Sequence, residues 1–178
     1  MAGTVTVEDI ARRIRDVPDF PKPGIVFKDI TPLLLDPVAF RGAVELMTAP
    51  FRGARISRVV SIESRGFLLG APVALGLEAG LVPMRKPGKL PAQRGRVEYA
   101  LEYGTDALEM HTDAVAAEDR VLIVDDVLAT GGTAAAAARL VRTRGADVVG
   151  FTFLIELDLL KGRARLQGER IEALLHYA

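Results

Sequence analysis

The sequence contains no cysteine, no tryptophan and no asparagine, and only two histidines, His111 and His176. Without cysteine there is no disulfide, no thiolate-held zinc or iron–sulfur cluster and no catalytic thiol. Two histidines far apart in the chain argue against a histidine-built zinc site, and both read as structural or surface residues. Neither sign of charge is in excess: 23 Lys+Arg face 23 Asp+Glu, for a formal net charge of zero. A chain whose main task is to coat nucleic acid or an acidic membrane carries a basic surplus, which is missing here. Long apolar runs are missing too. The longest, residues 66–77, contains Pro72 and is too short to span a bilayer. The opening MAGTVTVEDIARRIRDV sets acids and arginines at helical spacing and has no apolar core, so it does not read as a secretory signal. The expectation is a cytoplasmic protein with neither a nucleic-acid nor a membrane partner.

What is present suits one enzyme-sized domain. The chain has 178 residues, 49% of them hydrophobic, which is enough for a sizeable core. Amphipathic spacing predicts helices over residues 7–15 and 38–51, with an irregular Pro/Gly stretch at 18–24 between them. The centre alternates. Strands are expected at 58–62, 81–85, 97–103, 108–112, 120–125, 148–155 and 171–177. Helices are expected at 66–77 and 132–143, with a short one at 157–166. Apolar strands alternating with helices predict an α/β domain with a mostly parallel central sheet flanked by helices. In such sheets ligands bind beyond the carboxyl ends of the strands. Three chemically rich segments fall there: Glu63-Ser64-Arg65-Gly66, Arg85-Lys86 and Asp125-Asp126.

The segment VLIVDDVLATGGTAAAAARL carries the sharpest signal. A buried strand runs into two acids and then into Ala129-Thr130-Gly131-Gly132-Thr133, followed by a helix. The glycines let the backbone curl so that successive N–H groups converge, and the helix adds its positive end. The Thr130 and Thr133 hydroxyls add further donors. Such a loop cradles a phosphate monoester, while Asp125 and Asp126 suit ligand hydroxyls or a magnesium ion. The pattern is neither a Walker-type P-loop nor a dinucleotide fingerprint.

VLIVDDVLATGGT resembles the phosphoribosyl-pyrophosphate signature of the type I phosphoribosyltransferases. FPKPGIVFKDITPLL, ESRGFLLGAPVALGL, RKPGKLP and LEYGTDALEMHTDAV resemble, in order, the adenine phosphoribosyltransferases. The resemblance implies a type I phosphoribosyltransferase-like fold over 1–178, with residues of about 1–35 forming a base-binding hood and 86–96 a flexible loop. It implies purine salvage, with magnesium as cofactor: adenine and phosphoribosyl pyrophosphate give AMP and pyrophosphate. It further implies a homodimer.

Residue roles follow from the same resemblance. Asp125 and Asp126 hold the ribose hydroxyls, and with them or through water the magnesium ion. Ala129, Thr130, Gly131, Gly132 and Thr133 hold the 5-phosphate. Ser64, Arg65, Arg85 and Lys89 meet the pyrophosphate, and the Glu63–Ser64 peptide is expected to be cis. Glu102 faces N7 of the purine and Tyr103 lies near the leaving group or the ribose. Phe27 and Val127 sandwich the base, whose edge is read by the backbones of Val26 and Lys28. By residue type alone, Glu102 reads as a solvated strand acid and Phe27 as a core aromatic. Two alternatives stay open: a relative using hypoxanthine, guanine or xanthine, and a regulator that senses phosphoribosyl pyrophosphate without turnover. Regulators of that kind carry an added nucleic-acid-binding element. The segment ahead of Phe20 is too short for a winged helix, and there is no basic stripe.

Overall fold

The computed structural model describes residues 5–101 and 104–178. The chain divides into two units, Met1–Leu46 and Met47–Ala178.

In the first unit, α1 (Val7–Ala11) starts at a reciprocal cap. The Asp9 N–H donates to Thr6 Oγ1 at 3.2 Å and the Thr6 N–H donates to Asp9 Oδ2 at 3.0 Å. The helix ends four residues before the expected boundary, because Arg15 opens a strand that the sequence pattern did not reveal. That strand, β1 (Arg15–Pro18), pairs antiparallel with β2 (Val26–Asp29). The Pro/Gly stretch expected to be irregular is the link between them. It turns through Asp19 at φ 57° and Gly24 at φ 85°. Arg15 Nε donates to Asp29 across the pair at 3.0 Å, and Lys28 Nζ to Asp16 at 2.7 Å. A short helix, α2 (Thr31–Leu35), was also not expected. Asp36 then caps α3 (Pro37–Thr48), accepting from the Val38 and Ala39 N–H groups at 3.0 Å each. The α-helix stops at Thr48 rather than at residue 51. Pro50 has no N–H to continue the ladder, and Ala49–Phe51 tightens into a 3₁₀ turn.

The second unit is built on a five-stranded sheet ordered β4-β3-β7-β8-β9, every pair parallel. Its strands are β3 (Arg58–Ile62), β4 (Gly80–Met84), β7 (Arg120–Leu128), β8 (Asp147–Leu157) and β9 (Ile171–Tyr177). Helix α4 (Gly66–Gly76) links β3 to β4, and α5 (Gly132–Arg142) links β7 to β8. The two crossovers run in opposite directions along the sheet. Right-handed connection therefore sets α4 and α5 on opposite faces. Val60, Ile62, Val82, Met84, Val121 and Ile123 belong to the core with the alanines of α5. On the other face α4 packs tightly: a Cβ added at Gly70 would meet Ser61 Oγ at 2.2 Å. The antiparallel pair β5 (Arg94–Leu101) and β6 (Gly104–His111) adds Tyr99, Leu108 and Met110 to the core on the α5 side.

Several boundaries differ from expectation. β5 begins at Arg94, inside the loop predicted for 86–96, and Gly95 has a packing reason to be glycine. A Cβ there would meet Arg144 Nη2 at 2.5 Å and Leu140 of α5 at 3.3 Å. β7 runs through both acids instead of ending at Asp125. The helix expected at 157–166 is two 3₁₀ turns, Asp158–Leu160 and Gly162–Arg165, separated by Lys161 at φ 50°.

Buried Asp119 ties the amino ends of β3 and β7 together. It accepts from Ser57 Oγ at 2.7 Å and the Ala116 N–H at 2.8 Å, and Arg58 Nε lies 3.6 Å away. Burial disfavours its charge. The Ala116 and Ser57 bonds and the Arg58 charge outweigh that, holding the carboxyl below its ordinary 3.8. A depressed acid stabilises the fold above its unfolded pKa, and that stabilisation fades as pH falls through the folded one. Asp119→Asn is expected to cost about 2 kcal/mol at pH 7. In denaturant titrations the deficit should shrink below about pH 4.

Candidate active site

The cradle forms where β7 feeds α5. Gly131 stands at the helix N-terminus with φ 78°, a conformation that glycine adopts without strain. The turn has no room for a side chain: a Cβ at Gly131 would lie 2.4 Å from the Gly162 carbonyl oxygen. One at Gly162 would lie 2.3 Å from the Ala129 carbonyl oxygen. The first 3₁₀ residue after Lys161 therefore backs the cradle, a role that sequence reading missed. A hollow of about 70 Å³ opens in front of the turn. Asp125, Val127, Ala129, Thr130, Gly131, Gly132 and Thr133 all line it, with Leu128, Ala134 and Phe153. Seven of the residues singled out by sequence thus converge on one small cavity at the carboxyl edge of the sheet.

The acids sit beside a cation from the neighbouring strand end. Arg65 Nε lies 2.7 Å from Asp126 Oδ2, an ion pair without the alignment of a hydrogen bond. Asp125 Oδ1 accepts the Asp126 N–H at 2.9 Å. A Cβ at Gly66 would meet that Oδ1 at 2.7 Å, so α4 must begin with glycine to approach it. Burial pushes Asp125 well above the ordinary carboxylate range, and the neighbouring Asp126 charge adds to the rise. Burial raises Asp126 as well, opposed by Arg65. Two carboxyls held at this cost to folding suit a ligand that supplies hydroxyls or a cation.

Arg65 and Ser64 occupy the turn between β3 and α4, where the Glu63–Ser64 peptide is cis, as expected. Arg85 and Lys89 meet at a residue given no role from sequence. Glu63, its side chain 6% exposed, accepts from Arg85 Nε at 2.8 Å and from Lys89 Nζ at 2.6 Å. Burial opposes its charge, but the Lys89 and Arg85 contacts prevail and lower its pKa. The loop between β4 and β5 is held on its other side by buried Glu109. That acid accepts from the Gly88 N–H at 3.0 Å and lies 3.0 Å from Arg94 Nε. Lys86 pairs with Asp106 and donates to the Tyr99 hydroxyl at 2.9 Å. The Tyr99 hydroxyl also stands 3.4 Å from Thr133 Oγ1, beside the cradle. The signals for Glu63, Glu109 and Tyr99 were faint, since each is a single polar residue in a strand or at its end.

Val26, Phe27 and Lys28 lie in β2 of the first unit. Val26 is 50% exposed, and Phe27 is met edge-on by Phe20 with ring centroids 5.1 Å apart. Phe20 was not assigned a role. Glu102 and Tyr103 lie outside the described residues. His111 accepts the Ala92 N–H at 3.4 Å. His176, with Asp158 3.1 Å away, lies near Glu156, but both oxygens of Glu156 accept from Arg163 at 2.9 Å, so the group is an ion-pair network.

With the cradle, acid pair and cation cluster in place, similarity to known proteins decides the family. The model described as the phosphoribosyl transferase domain matches residues 51–169. The chain belongs to the phosphoribosyltransferase family. It is 58% identical over 177 residues to the adenine phosphoribosyltransferase of Myxococcus xanthus (strain DK1622), covering 99% of this chain and 96% of that protein. Among solved structures, the adenine phosphoribosyltransferase of Rhodothermus marinus superposes with a TM-score of 0.92 at 54% identity, covering 96% and 98% of the two chains. That of Saccharomyces cerevisiae, complexed with adenine and an imino-altritol bisphosphate, gives 0.90 at 38% identity, covering 95% and 98%. In this phosphoribosyltransferase the described helices include none long and apolar enough to cross a membrane.

Glu63 neutralises two loop cations, so removing its charge frees the loop. Glu63→Gln is expected to raise amide hydrogen exchange across residues 85–93 by about tenfold at pH 7, the loss of one charge-assisted bond. Exchange in α5 and β8 should be unchanged, as read by mass spectrometry.

Proposed function

We propose that the chain is an adenine phosphoribosyltransferase: it moves the phosphoribosyl group of 5-phosphoribosyl 1-pyrophosphate to N9 of adenine, giving AMP and pyrophosphate in purine salvage. The observation that carries the reaction is the acid pair at the mouth of the glycine cradle. Phosphate binding needs amides and a helix end, and ribose hydroxyls need carboxylates. The choice of adenine is supported by the near full-length identity to adenine phosphoribosyltransferases.

The work falls to named residues. Ala129, Thr130, Gly131, Gly132 and Thr133 hold the 5-phosphate. Asp125 and Asp126 accept from the 2- and 3-hydroxyls. Ser64, Arg65, Arg85 and Lys89 take the pyrophosphate. Carbon C1 loses its bond to the pyrophosphate oxygen, which leaves with the electron pair, and gains a bond to N9. Cations around the departing oxygens stabilise the charge that develops on them. With adenine's ring proton on N7, Glu102 shares that proton as N9 turns nucleophilic and takes it as the bond from N9 to C1 forms, and Tyr103 stands near the leaving group or the ribose. Phe27 and Val127 cover the base faces. The carbonyl of Val26 or Lys28 accepts from the 6-amino group and a backbone N–H donates to N1. A 6-oxo purine reverses that pattern and leaves buried polar groups unpaired.

Magnesium fits the acid pair: Asp126 Oδ2 is buried without a hydrogen bond, and carboxylate oxygens are the hard donors this ion takes. Asp125 and Asp126 would hold it through water or through the ribose hydroxyls. When bound, it supplies positive charge to the pyrophosphate. The first 35 residues or so act as the hood over the base within one functional domain, and residues 86–96 act as the closing loop. The location is cytoplasmic.

A homodimer is supported by α4. Leu75 is 80% exposed and Leu68, two turns earlier, 47%. Leu81 of the edge strand β4 is 41% exposed and pairs in register with Val59, on the α4 side of the sheet. An apolar helix beside an apolar edge strand calls for a partner surface, which a second copy provides.

Chromatographic assay with phosphoribosyl pyrophosphate, magnesium and each of adenine, hypoxanthine, guanine and xanthine should yield AMP from adenine alone. Product from another base would overturn the base assignment, and no product from any base would overturn catalysis. Asp125→Asn with Asp126→Asn should weaken phosphoribosyl-pyrophosphate binding by at least about a hundredfold in calorimetry. Leu75→Glu should halve the mass measured by light scattering while the circular-dichroism spectrum is kept.

A further inference from the structure

One cavity of the second unit does not face the acid pair. It is a groove of about 400 Å³ along α5, in the size range of small-molecule sites. Ala135, Ala136 and Ala138 of α5, with Leu166 and Tyr99, give it its apolar lining. Three guanidinium groups, Arg139, Arg142 and Arg165, line it, against a single carboxylate, Glu169. The excess of two positive charges stands out in a chain whose total is zero.

The three arginines differ in what engages them. Arg142 Nη2 pairs with Glu169 at 2.7 Å, and Arg139 Nη2 donates to the Glu98 carbonyl at 2.6 Å. Each keeps other N–H groups of its five-donor fork. Arg165 is exposed and has no hydrogen bond or ion pair among the described residues. Its Cβ lies 3.3 Å from where a Gly131 Cβ would be, so the side chain starts from behind the cradle turn. Gly132 lines both the groove and the cradle. Guanidinium forks recognise phosphate in a bidentate manner, and small alanine side chains leave room for an apolar group against the helix.

We propose that this groove is a second, non-catalytic site for a mononucleotide, bound through its phosphate by Arg139, Arg142 and Arg165 with its base on the alanine face of α5. Asp125 and Asp126 line the other hollow, so the groove lacks the carboxylates that the transfer reaction needs.

The test is calorimetric titration of the full chain with AMP, which the cradle also takes as product. Two AMP per chain are expected. Arg165→Ala, which keeps the Cβ, should weaken one of the two by about tenfold, and Arg165→Glu should abolish it. Neither should change kcat/KM, measured at limiting substrate, by more than about twofold, and thermal melts check that both variants fold. A single AMP per chain that Asp125→Asn with Asp126→Asn removes would overturn the groove and leave the cradle reading intact. A single AMP that the paired-acid variant keeps and Arg165→Glu removes would support the groove and overturn the cradle reading. Inorganic phosphate binding the groove as tightly as AMP would overturn the mononucleotide.

Discussion

Two adjacent carboxyls, Asp125 and Asp126, are held in an environment that resists their ionisation, and much of the second unit is arranged around them. Burial raises both pKa values, the Asp126 charge adds to the rise at Asp125, and Arg65 is the cation set against them. Such a pair costs stability without a ligand and repays it when hydroxyls or a cation arrive. Its surroundings follow from that. Gly66 lets α4 begin against Asp125, Gly131 and Gly162 let two backbones touch behind the cradle, and β7 runs straight through both acids.

A second electrostatic layer surrounds the first. Glu63 gathers Arg85 and Lys89, Glu109 holds the same loop from β6, and Lys86 joins the loop to Tyr99 and Asp106. These contacts leave none of the three loop cations, Arg85, Lys86 and Lys89, without a partner. They also link the loop, the β5–β6 pair and the start of α5 through the Tyr99 hydroxyl. Surface ion pairs contribute little on their own, but the side chains of Glu63 and Glu109 are only 6% and 5% exposed, so here the geometry is held more firmly than charge alone would hold it.

The parallel sheet and its two crossover helices were legible because buried strands are short apolar runs and glycines mark where helices start. β3 and β9 matched their expected bounds, and α5 came within a residue. The first unit was less legible. β1 and β2 are four residues each and half-exposed, so neither carries an apolar alternation. The helix read at 157–166 was lost to Lys161, whose left-handed backbone no periodicity announces.

Local chemistry along the chain was therefore enough to locate the glycine turn, the acid pair and the order of the strands and two crossover helices of the parallel sheet. A glycine turn, two acids and a helix start are contiguous and need no distant partner to be recognised. Tertiary structure alone decided that Glu63 would hold Arg85 and Lys89, that Gly162 would close the back of the cradle, and that three arginines would share a groove along α5. Each of these joins residues that are remote in sequence. Their meeting depends on the sheet's strand order and the hand of its crossovers, which bring distant segments together with no trace in local composition.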